Sequence, residues 1–204
     1  MNWAKTHKFI SYLFPKYVWK IPNSNNKVFL TFDDGPTPEI TDFVLESLAE
    51  YNAKATFFCI GKNVESNPSI ISRIISGGHS IGNHTMHHSN AWKMDFRSYL
   101  EDINHCDQIF KQKGIQSIGF RPPYGRITPK MYQKVPNIIL WSVLTGDYNA
   151  SLHTSDIVKS IKPHLKSGAI VVMHDSVKAH RTLKIILPEI LAYCSSQNLR
   201  MSAL

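Results

Sequence analysis

The sequence predicts an α/β fold in which parallel strands alternate with helices and close into a barrel. Two observations support this prediction. Apolar runs of strand length alternate with segments that carry apolar residues at helical spacing, which is the order of repeated βα units. In addition, acidic, basic and histidine residues follow the ends of several predicted strands, and in a βα barrel these carboxyl ends gather on one face.

The predicted strands are apolar runs at residues 27–32, 55–60, 118–121, 138–143 and 169–173, and a further strand candidate around residues 79–82 leads into the histidines. The predicted helices have apolar residues three or four positions apart. The first begins at Thr37 and Pro38 and continues through Ile40, Val44, Leu45 and Leu48, and the others lie at residues 69–75, 98–113, 155–166 and 182–197. Gly77 and Gly78 end the second helix, because glycine is a poor helix former.

Length and composition indicate one domain. The chain has 204 residues, of which 43% are hydrophobic, and no repeat or low-complexity linker divides it. Three cysteines, Cys59, Cys106 and Cys194, lack the close spacing of a zinc ribbon, and we expect free core thiols rather than disulfides. The net charge of +8 attracts anionic partners, but the basic residues are dispersed and no nucleic-acid-binding motif is present, so we expect no nucleic acid partner.

Residues 7–20 combine aromatic and aliphatic residues with lysines. The uninterrupted apolar run is too short to span a membrane, Pro15 interrupts it, and no small-residue cleavage site follows. We therefore expect neither a signal peptide nor a transmembrane helix, and a cytoplasmic location by default. Packing of this segment across the bottom of the barrel is the favoured interpretation, and weak contact with a membrane surface is the alternative.

An adjacent carboxylate pair, Asp33 and Asp34, stands where an apolar strand meets a Gly-Pro turn. Aspartate, glycine and proline are also common turn formers, so the segment taken alone is compatible with a turn and nothing more. Two neighbouring anionic side chains repel each other, however, which favours separate tasks for them. One would hold a cation while the other moves a proton.

Two histidines, His84 and His88, are spaced so that both lie on one face of a helix or helical turn and can chelate one ion. Asp34 would complete a site of two imidazoles and one carboxylate. Zinc proteases that use this spacing carry Glu after the first His, whereas this chain has Thr85, which argues against such a peptidase. The mixed ligands suit one divalent ion, most favourably Zn²⁺, with Co²⁺, Ni²⁺, Mn²⁺ or iron as alternatives.

Two further segments are Arg121-Pro122-Pro123-Tyr124-Gly125 and Ile170-Val171-Val172-Met173-His174-Asp175. With these, the chain resembles the polysaccharide deacetylase family, also called carbohydrate esterase family four. The resemblance covers roughly residues 27–192 and implies a distorted, incomplete (β/α) barrel with about seven parallel strands. We accordingly expect a catalytic domain at residues 27–204, preceded by a segment at residues 1–26 that packs on the barrel or lies at a surface.

The resemblance implies a role for each matched polar residue. Asp33 resembles the general base, and Asp34, His84 and His88 resemble the metal ligands. Arg121 is similar to the residue that holds the base ionised and oriented. His174 resembles the general acid that protonates the leaving group, and Asp147 would stabilise its imidazolium.

The same resemblance implies an oxyanion and substrate site. The backbone amide of Tyr124, next to Pro123, would bind the tetrahedral oxyanion together with the metal. Val172 would contact the acetyl methyl group. Where the family commonly has Asp-Trp, this chain has Trp141 and then Asp147 followed by Tyr148, so Tyr148 would give a different wall to the acetyl pocket.

The implied reaction is metal-dependent hydrolysis of N-acetyl groups on an amino-sugar glycan of the chitooligosaccharide or peptidoglycan type. An O-acetyl esterase acting on a glycan such as xylan is one alternative, because an ester needs the same metal, base and acid. A catalytically silent glycan-binding module is the alternative from a different class.

Overall fold

The computed structural model describes residues 12–204. Within them the strands are β1 (Lys27–Asp33), β2 (Ala55–Cys59), β3 (Ser80–Asn83), β4 (Ser117–Phe120), β5 (Val143–Leu144), β6 (Ile170–His174) and β7 (Arg200–Met201). The helices are α1 (Ile40–Glu50), α2 (Gly61–Ser66), α3 (Pro68–Ser76), α4 (Phe96–Gln112), α5 (Pro129–Lys134), α6 (Thr154–Ile161) and α7 (His180–Ser196). Short 3₁₀ turns lie at Pro123–Gly125 and Lys162–His164.

The strands form one parallel sheet with the order β4-β3-β2-β1-β6-β5, and β7 pairs with the start of β1. This confirms the predicted α/β class and the parallel strands. The strand order is open, however, so the closed barrel inferred from the βα order alone is wrong and the distorted, incomplete barrel is confirmed.

The segment that joins the two edges of the sheet explains why the barrel is incomplete. The predicted strand at residues 138–143 is mostly irregular: Ile138 forms an isolated bridge with Phe120 and Ile139 with Val18, and only Val143–Leu144 forms a strand beside β6. The prediction of a continuous strand there is wrong. The apolar run is buried as expected, but its backbone hydrogen bonds are divided among three neighbours.

Strand β1 lies at the centre of the sheet and is buried on both faces, as is typical of a parallel sheet covered by helices. Val28, Leu30 and Phe32 belong to the large core between the sheet and the surrounding helices. On the opposite face, Phe29 belongs to a smaller cluster inside the barrel with Phe58, Ile139 and Ile170. Because side chains alternate along a strand, Thr31 and Asp33 share the interior face with Phe29.

Several short elements were absent from the sequence prediction, namely α2, α5 and β7. Each has two to six residues, too few for a periodic pattern to be recognised. The predicted helix at residues 155–166 ends earlier, at Ile161, and Pro163 lies in the 3₁₀ turn that follows. The three cysteines are free and buried, as predicted.

The described part of the amino-terminal segment packs on the barrel wall. Phe14 stacks on Tyr17 with ring centroids 5.5 Å apart, and Tyr17 contacts Tyr132 edge to face. Lys20 forms an antiparallel bridge with Ala169. Part of the segment considered for membrane contact, residues 7–11, lies outside the described residues. Among residues 12–204, none of the helices has the length and apolar character needed to cross a bilayer.

Candidate active site

Polar side chains from five strand ends meet at the carboxyl edge of the sheet. Asp33 is the last residue of β1 and His174 is the last residue of β6, and the two are partners in the strand register. His84 directly follows β3 and Arg121 directly follows β4. Asp147 lies three residues after β5. The carboxyl ends of parallel strands therefore bring these five residues together, which is the usual location of sites in such folds.

Arg121 is fully buried inside the barrel and binds Asp33. One guanidinium nitrogen donates to Asp33 Oδ1 at 2.7 Å and to Thr31 Oγ1 at 2.6 Å. The other nitrogens donate to the backbone carbonyls of Ile139 and Leu140 at 3.1 and 3.0 Å. Burial lowers the pKa of Arg121, and the adjacent carboxylate opposes this shift. Arg121 therefore fixes the position of the Asp33 carboxylate.

Asp34, His84 and His88 form a group of potential metal ligands whose ligand atoms all lie within 4.8 Å of one another. Asp34 Oδ1 is 3.6 Å from His84 Nε2 and 3.1 Å from His88 Nε2. Burial raises the pKa of Asp34, but the two imidazoles outweigh this and lower it below its ordinary value. An ionised carboxylate is the state that a metal ligand requires.

The hydrogen bonding of His84 shows that these residues fit a cation. His84 Nδ1 lies 2.7 Å from the carbonyl oxygen of Arg121. A carbonyl only accepts, so Nδ1 carries a proton, and in the neutral imidazole the lone pair of Nε2 then faces Asp34. Asp34 Oδ1 is buried and has no hydrogen-bond donor within the described residues. Two electron-pair donors that face each other repel unless a cation lies between them, which is the arrangement of a metal site.

The two histidines converge through a loop rather than a helix. Residues 84–88 have no helical structure, so the predicted helical turn is wrong. Thr85 and His88 instead adopt left-handed backbone conformations, with φ of 67° and 57°. The Thr85 amide donates to Asn83 Oδ1, and Thr85 Oγ1 accepts from the Ser89 amide. These bonds offset the cost of the left-handed residues and direct both imidazoles towards Asp34.

His174 lies on the other side of the site from the metal ligands and is held by Asp147. Its Nδ1 is 2.8 Å from Asp147 Oδ1, and its backbone amide donates to Oδ2 at 2.7 Å. Burial lowers the pKa of His174, but the charge and hydrogen bond of Asp147, together with the charges of Asp33 and Asp34, raise it to about 9. His174 is therefore an imidazolium at neutral pH and has a proton to donate.

The residues predicted for the substrate pocket lie around His88, His174 and Arg121, and they range from exposed to buried. The Tyr124 ring is 61% exposed and lies edge to face against His88, with centroids 4.6 Å apart. The Tyr148 ring lies 5.1 Å from the His174 ring. Trp141 lies 5.8 Å from the Arg121 guanidinium, at the barrel interior. Two others, Pro123 and Val172, are buried, and Val172 shares the face of β6 with His174.

One site residue was not assigned from the sequence: Asp175, a fully buried carboxylate. It accepts hydrogen bonds from the Gly35 amide at 3.1 Å and from Thr41 Oγ1 at 2.6 Å. Burial raises its pKa to about 7. A Cβ at Gly35 would overlap the Asp175 carboxylate, so the contact requires glycine. Asp175 thus anchors the turn that follows Asp34, and the signal that could have identified it is its position directly after His174.

An open cleft adjoins the potential metal ligands Asp34 and His88. Its other walls include Pro38, Asn63 and Val177. Asn63 Nδ2 donates to the Asp34 carbonyl at 2.7 Å and so connects the wall of the cleft to the potential metal ligands. The arrangement thus offers a cation site, a carboxylate held by an arginine and a protonated histidine beside a groove that is open to large ligands. These groups are suited to hydrolysis of an acyl bond.

Comparisons with known proteins agree with this chemistry. The sequence model of the family described as polysaccharide deacetylase matches residues 20–138. A peptidoglycan-N-acetylglucosamine deacetylase of Bacillus cereus is 33% identical over 187 residues, which cover 89% of this chain and 88% of the relative. A chitooligosaccharide deacetylase of Azorhizobium caulinodans is 31% identical over 163 residues, 76% of this chain and 77% of the relative.

Among solved structures, a peptidoglycan N-acetylglucosamine deacetylase in complex with 4-naphthalen-1-yl-N-oxidanyl-benzamide superposes with a TM-score of 0.86. The two chains are 30% identical, and the match covers 96% of this chain and 94% of that one. The match therefore extends over nearly the whole chain. The chain belongs to the polysaccharide deacetylase family of hydrolases.

Proposed function

We propose that the protein removes N-acetyl groups from amino-sugar glycans and that it uses one divalent ion, Zn²⁺ by preference, held by Asp34, His84 and His88. The observation that carries the proposal is the division between the two adjacent aspartates. Asp34 faces two imidazoles, whereas Asp33 turns into the barrel and binds Arg121. We therefore assign cation binding to Asp34 and proton transfer to Asp33.

A divalent ion at this site would polarise the acetyl carbonyl and lower the pKa of a water molecule towards about 7. Asp33 accepts the proton of the attacking water as the new carbon–oxygen bond forms. Arg121 keeps the Asp33 carboxylate in the orientation for this transfer through the 2.7 Å hydrogen bond. A positioned base of this kind contributes roughly 10²- to 10⁴-fold to the rate.

His174 completes the reaction on the leaving-group side. The carbon–nitrogen bond breaks, the amine nitrogen takes a proton from His174 Nε2, and acetate and the free amine are released. Nε2 carries this proton because Asp147 accepts the hydrogen bond of Nδ1 and raises the pKa of the imidazole to about 9. An amine is a poor leaving group unless it is protonated, so an acid of this kind suits an amide more than an ester.

The surroundings of the site favour a glycan over a small substrate. The cleft is open, and the exposed rings of Tyr124 and Tyr148 border the centre. Aromatic rings offer an apolar face to the C–H groups of a sugar ring. The relatives named above act on peptidoglycan and chitooligosaccharides, which supports an N-acetylated amino sugar as the substrate.

The test is acetate release by purified protein that has been stripped of metal and reconstituted with Zn²⁺, Co²⁺, Ni²⁺ or Mn²⁺. The panel contains chitooligosaccharides, peptidoglycan fragments and acetylated xylan. We expect release from the N-acetylated substrates, loss of activity with a chelator and recovery on addition of metal. Activity confined to xylan would indicate an O-acetyl esterase, and binding without turnover for any metal would indicate a silent binding module.

A further inference from the structure

Trp92 is an exposed aromatic side chain that is nevertheless held in place. It lies in the loop between the metal-binding histidines and α4, and 61% of its surface is exposed. Its indole nitrogen donates to the carbonyl of Ile127 at 2.9 Å, and its backbone amide donates to Asn90 Oδ1 at 2.9 Å. A large apolar side chain that is both exposed and fixed is typical of a binding surface.

Arg126 stacks on this indole. Its guanidinium carbon is 3.8 Å from the ring centroid, which is a close cation–π contact. Arg126 forms no ion pair with any carboxylate among residues 12–204. A planar guanidinium that stacks on a ring keeps its N–H donors in its own plane, where they remain free to bind a carboxylate outside the protein.

Trp92 and Arg126 are each close in sequence to a residue of the proposed catalytic centre. Trp92 is four residues after the metal ligand His88, and Arg126 is two residues after Tyr124. The Tyr124 ring lies against the His88 ring, with centroids 4.6 Å apart. Two residues span at most about 7 Å of chain and four at most about 14 Å, so the pair lies within reach of a glycan whose acetylated sugar occupies the centre.

We propose that Trp92 and Arg126 form a subsite for a sugar neighbouring the one that is deacetylated, and that this subsite selects an amino-sugar glycan bearing carboxylates. This inference rests on the proposed deacetylase function and specifies its substrate. The indole presents an apolar face to the C–H groups of the sugar ring. The guanidinium binds a carboxylate on that sugar or on a substituent attached to it.

The charge of the chain agrees with an anionic ligand. The net charge is +8, so a polyanionic glycan is attracted over a longer range than a neutral one. The stacked guanidinium adds a directional contact to this general attraction, because it can engage a carboxylate through two parallel hydrogen bonds. A neutral chitin-type chain would use the indole but not the guanidinium, and this difference makes the proposal testable.

The experiment measures dissociation constants by calorimetry on metal-free protein, in which the ligand is not turned over. The ligands are a neutral N-acetylated chitooligosaccharide and a carboxylate-bearing N-acetylated peptidoglycan fragment of equal sugar number. Arg126→Gln should weaken binding of the acidic fragment about fivefold, the upper range for a partly exposed ion pair, and that of the neutral one less than twofold. Trp92→Ala should weaken binding of both.

Lys111→Gln is the matched control. It removes one positive charge from the exposed last turn of α4, at the end of the helix away from Trp92, and should leave the ratio of the two dissociation constants unchanged. Arg126→Lys, which keeps the charge but not the planar fork, should fall between Arg126→Gln and the unchanged protein. Thermal unfolding of each variant reports whether the fold is retained.

The subsite proposal is overturned if Arg126→Gln weakens both ligands equally or neither, or if Trp92→Ala leaves both dissociation constants unchanged. It is also overturned if Trp92→Ala abolishes self-association in sedimentation without changing glycan binding, since the surface would then bind a second copy of the chain. Acetate release by the zinc-loaded, unsubstituted protein is measured separately. Its absence would refute the proposed deacetylase function, whatever the binding ratio.

Discussion

Asp33 and His174 are register partners at the carboxyl ends of the neighbouring parallel strands β1 and β6. The register places the proposed proton acceptor and the proposed proton donor side by side on one edge of the sheet. Each is then held by a partner of opposite charge, Asp33 by Arg121 and His174 by Asp147. The two partners come from loops that follow other strands, so the acid and the base are positioned independently of each other.

Replacing the base should separate metal binding from catalysis. Asp33→Asn keeps the shape of the side chain and does not touch the three potential ligands, so we expect full zinc content with a loss of turnover of roughly 10²- to 10⁴-fold. Elemental analysis and acetate release measure the two quantities. Turnover equal to that of the unchanged protein would show that another group accepts the proton.

Replacing either of the two proposed histidine ligands should abolish the stabilisation that a bound ion would provide. Zinc at a hundred times its dissociation constant stabilises the folded state by about 2.7 kcal/mol, which is visible as a rise in melting temperature. His84→Ala and His88→Ala should lose that rise. His87→Ala is the control, because the exposed His87 imidazole turns away to Asp102, 2.6 Å distant. A zinc-dependent rise that survives in His84→Ala would contradict the ligand assignment.

The pH profile should report the protonation of His174. Its pKa is raised to about 9, so the proton donor is lost and N-deacetylation should fall as the pH rises through about 9. Asp147→Asn removes the charge that raises this pKa, and the alkaline limb should move to lower pH. Initial rates between pH 6 and 10 measure the shift, and a limb unchanged in Asp147→Asn would argue against His174 as the acid.

The same shift makes a prediction for stability. His174 has a folded-state pKa of about 9 against an ordinary value of 6.5, so its imidazolium stabilises the folded protein fully below about pH 6.5. That contribution is lost as the pH rises through about 9. Urea unfolding of the metal-free protein should show this decline, and the decline should be smaller in Asp147→Asn.

Removing one partner of the buried Arg121–Asp33 pair should lower the free energy of unfolding. Arg121→Met leaves a buried carboxylate without its partner, and such a change destabilises a protein by about 3–5 kcal/mol. Adding Asp33→Asn should recover part of that loss, because the unpaired charge is removed. A double-mutant cycle from chemical denaturation measures the coupling. Additive effects of the two substitutions would contradict the direct interaction seen at 2.7 Å.

Loss of the acid should depend on the leaving group. His174→Ala removes the proton that an amine needs, whereas the phenolate of an activated aryl acetate departs without one. We therefore expect a larger fall in rate on an N-acetylated sugar than on the aryl ester. Equal falls on the two substrates, measured by acetate release, would indicate that His174 positions the substrate rather than protonating it.

Much of the sheet could be predicted from the sequence, because buried parallel strands leave continuous apolar runs between turn-forming residues. The run at residues 27–32 became β1, extended by one residue to Asp33. The run at residues 138–143 did not become a continuous strand, since apolar composition indicates burial but not hydrogen-bond partners. The prediction of a helical turn at the two histidines was wrong for a related reason. The i, i+4 spacing is compatible with a helix, and the left-handed conformations of Thr85 and His88 leave no periodic pattern in the sequence.

The sequence by itself determined which groups are present and at which strand ends they stand. The adjacent aspartates, the paired histidines and the arginine and histidine that follow later strands are visible in the order of residues, because each is a local motif. The family resemblance implied different tasks for Asp33 and Asp34, but only the tertiary structure gives the physical cause of the division. Alternation along β1 turns Asp33 inward to Arg121, whereas the left-handed backbone at Asp34 turns its carboxylate towards the histidines.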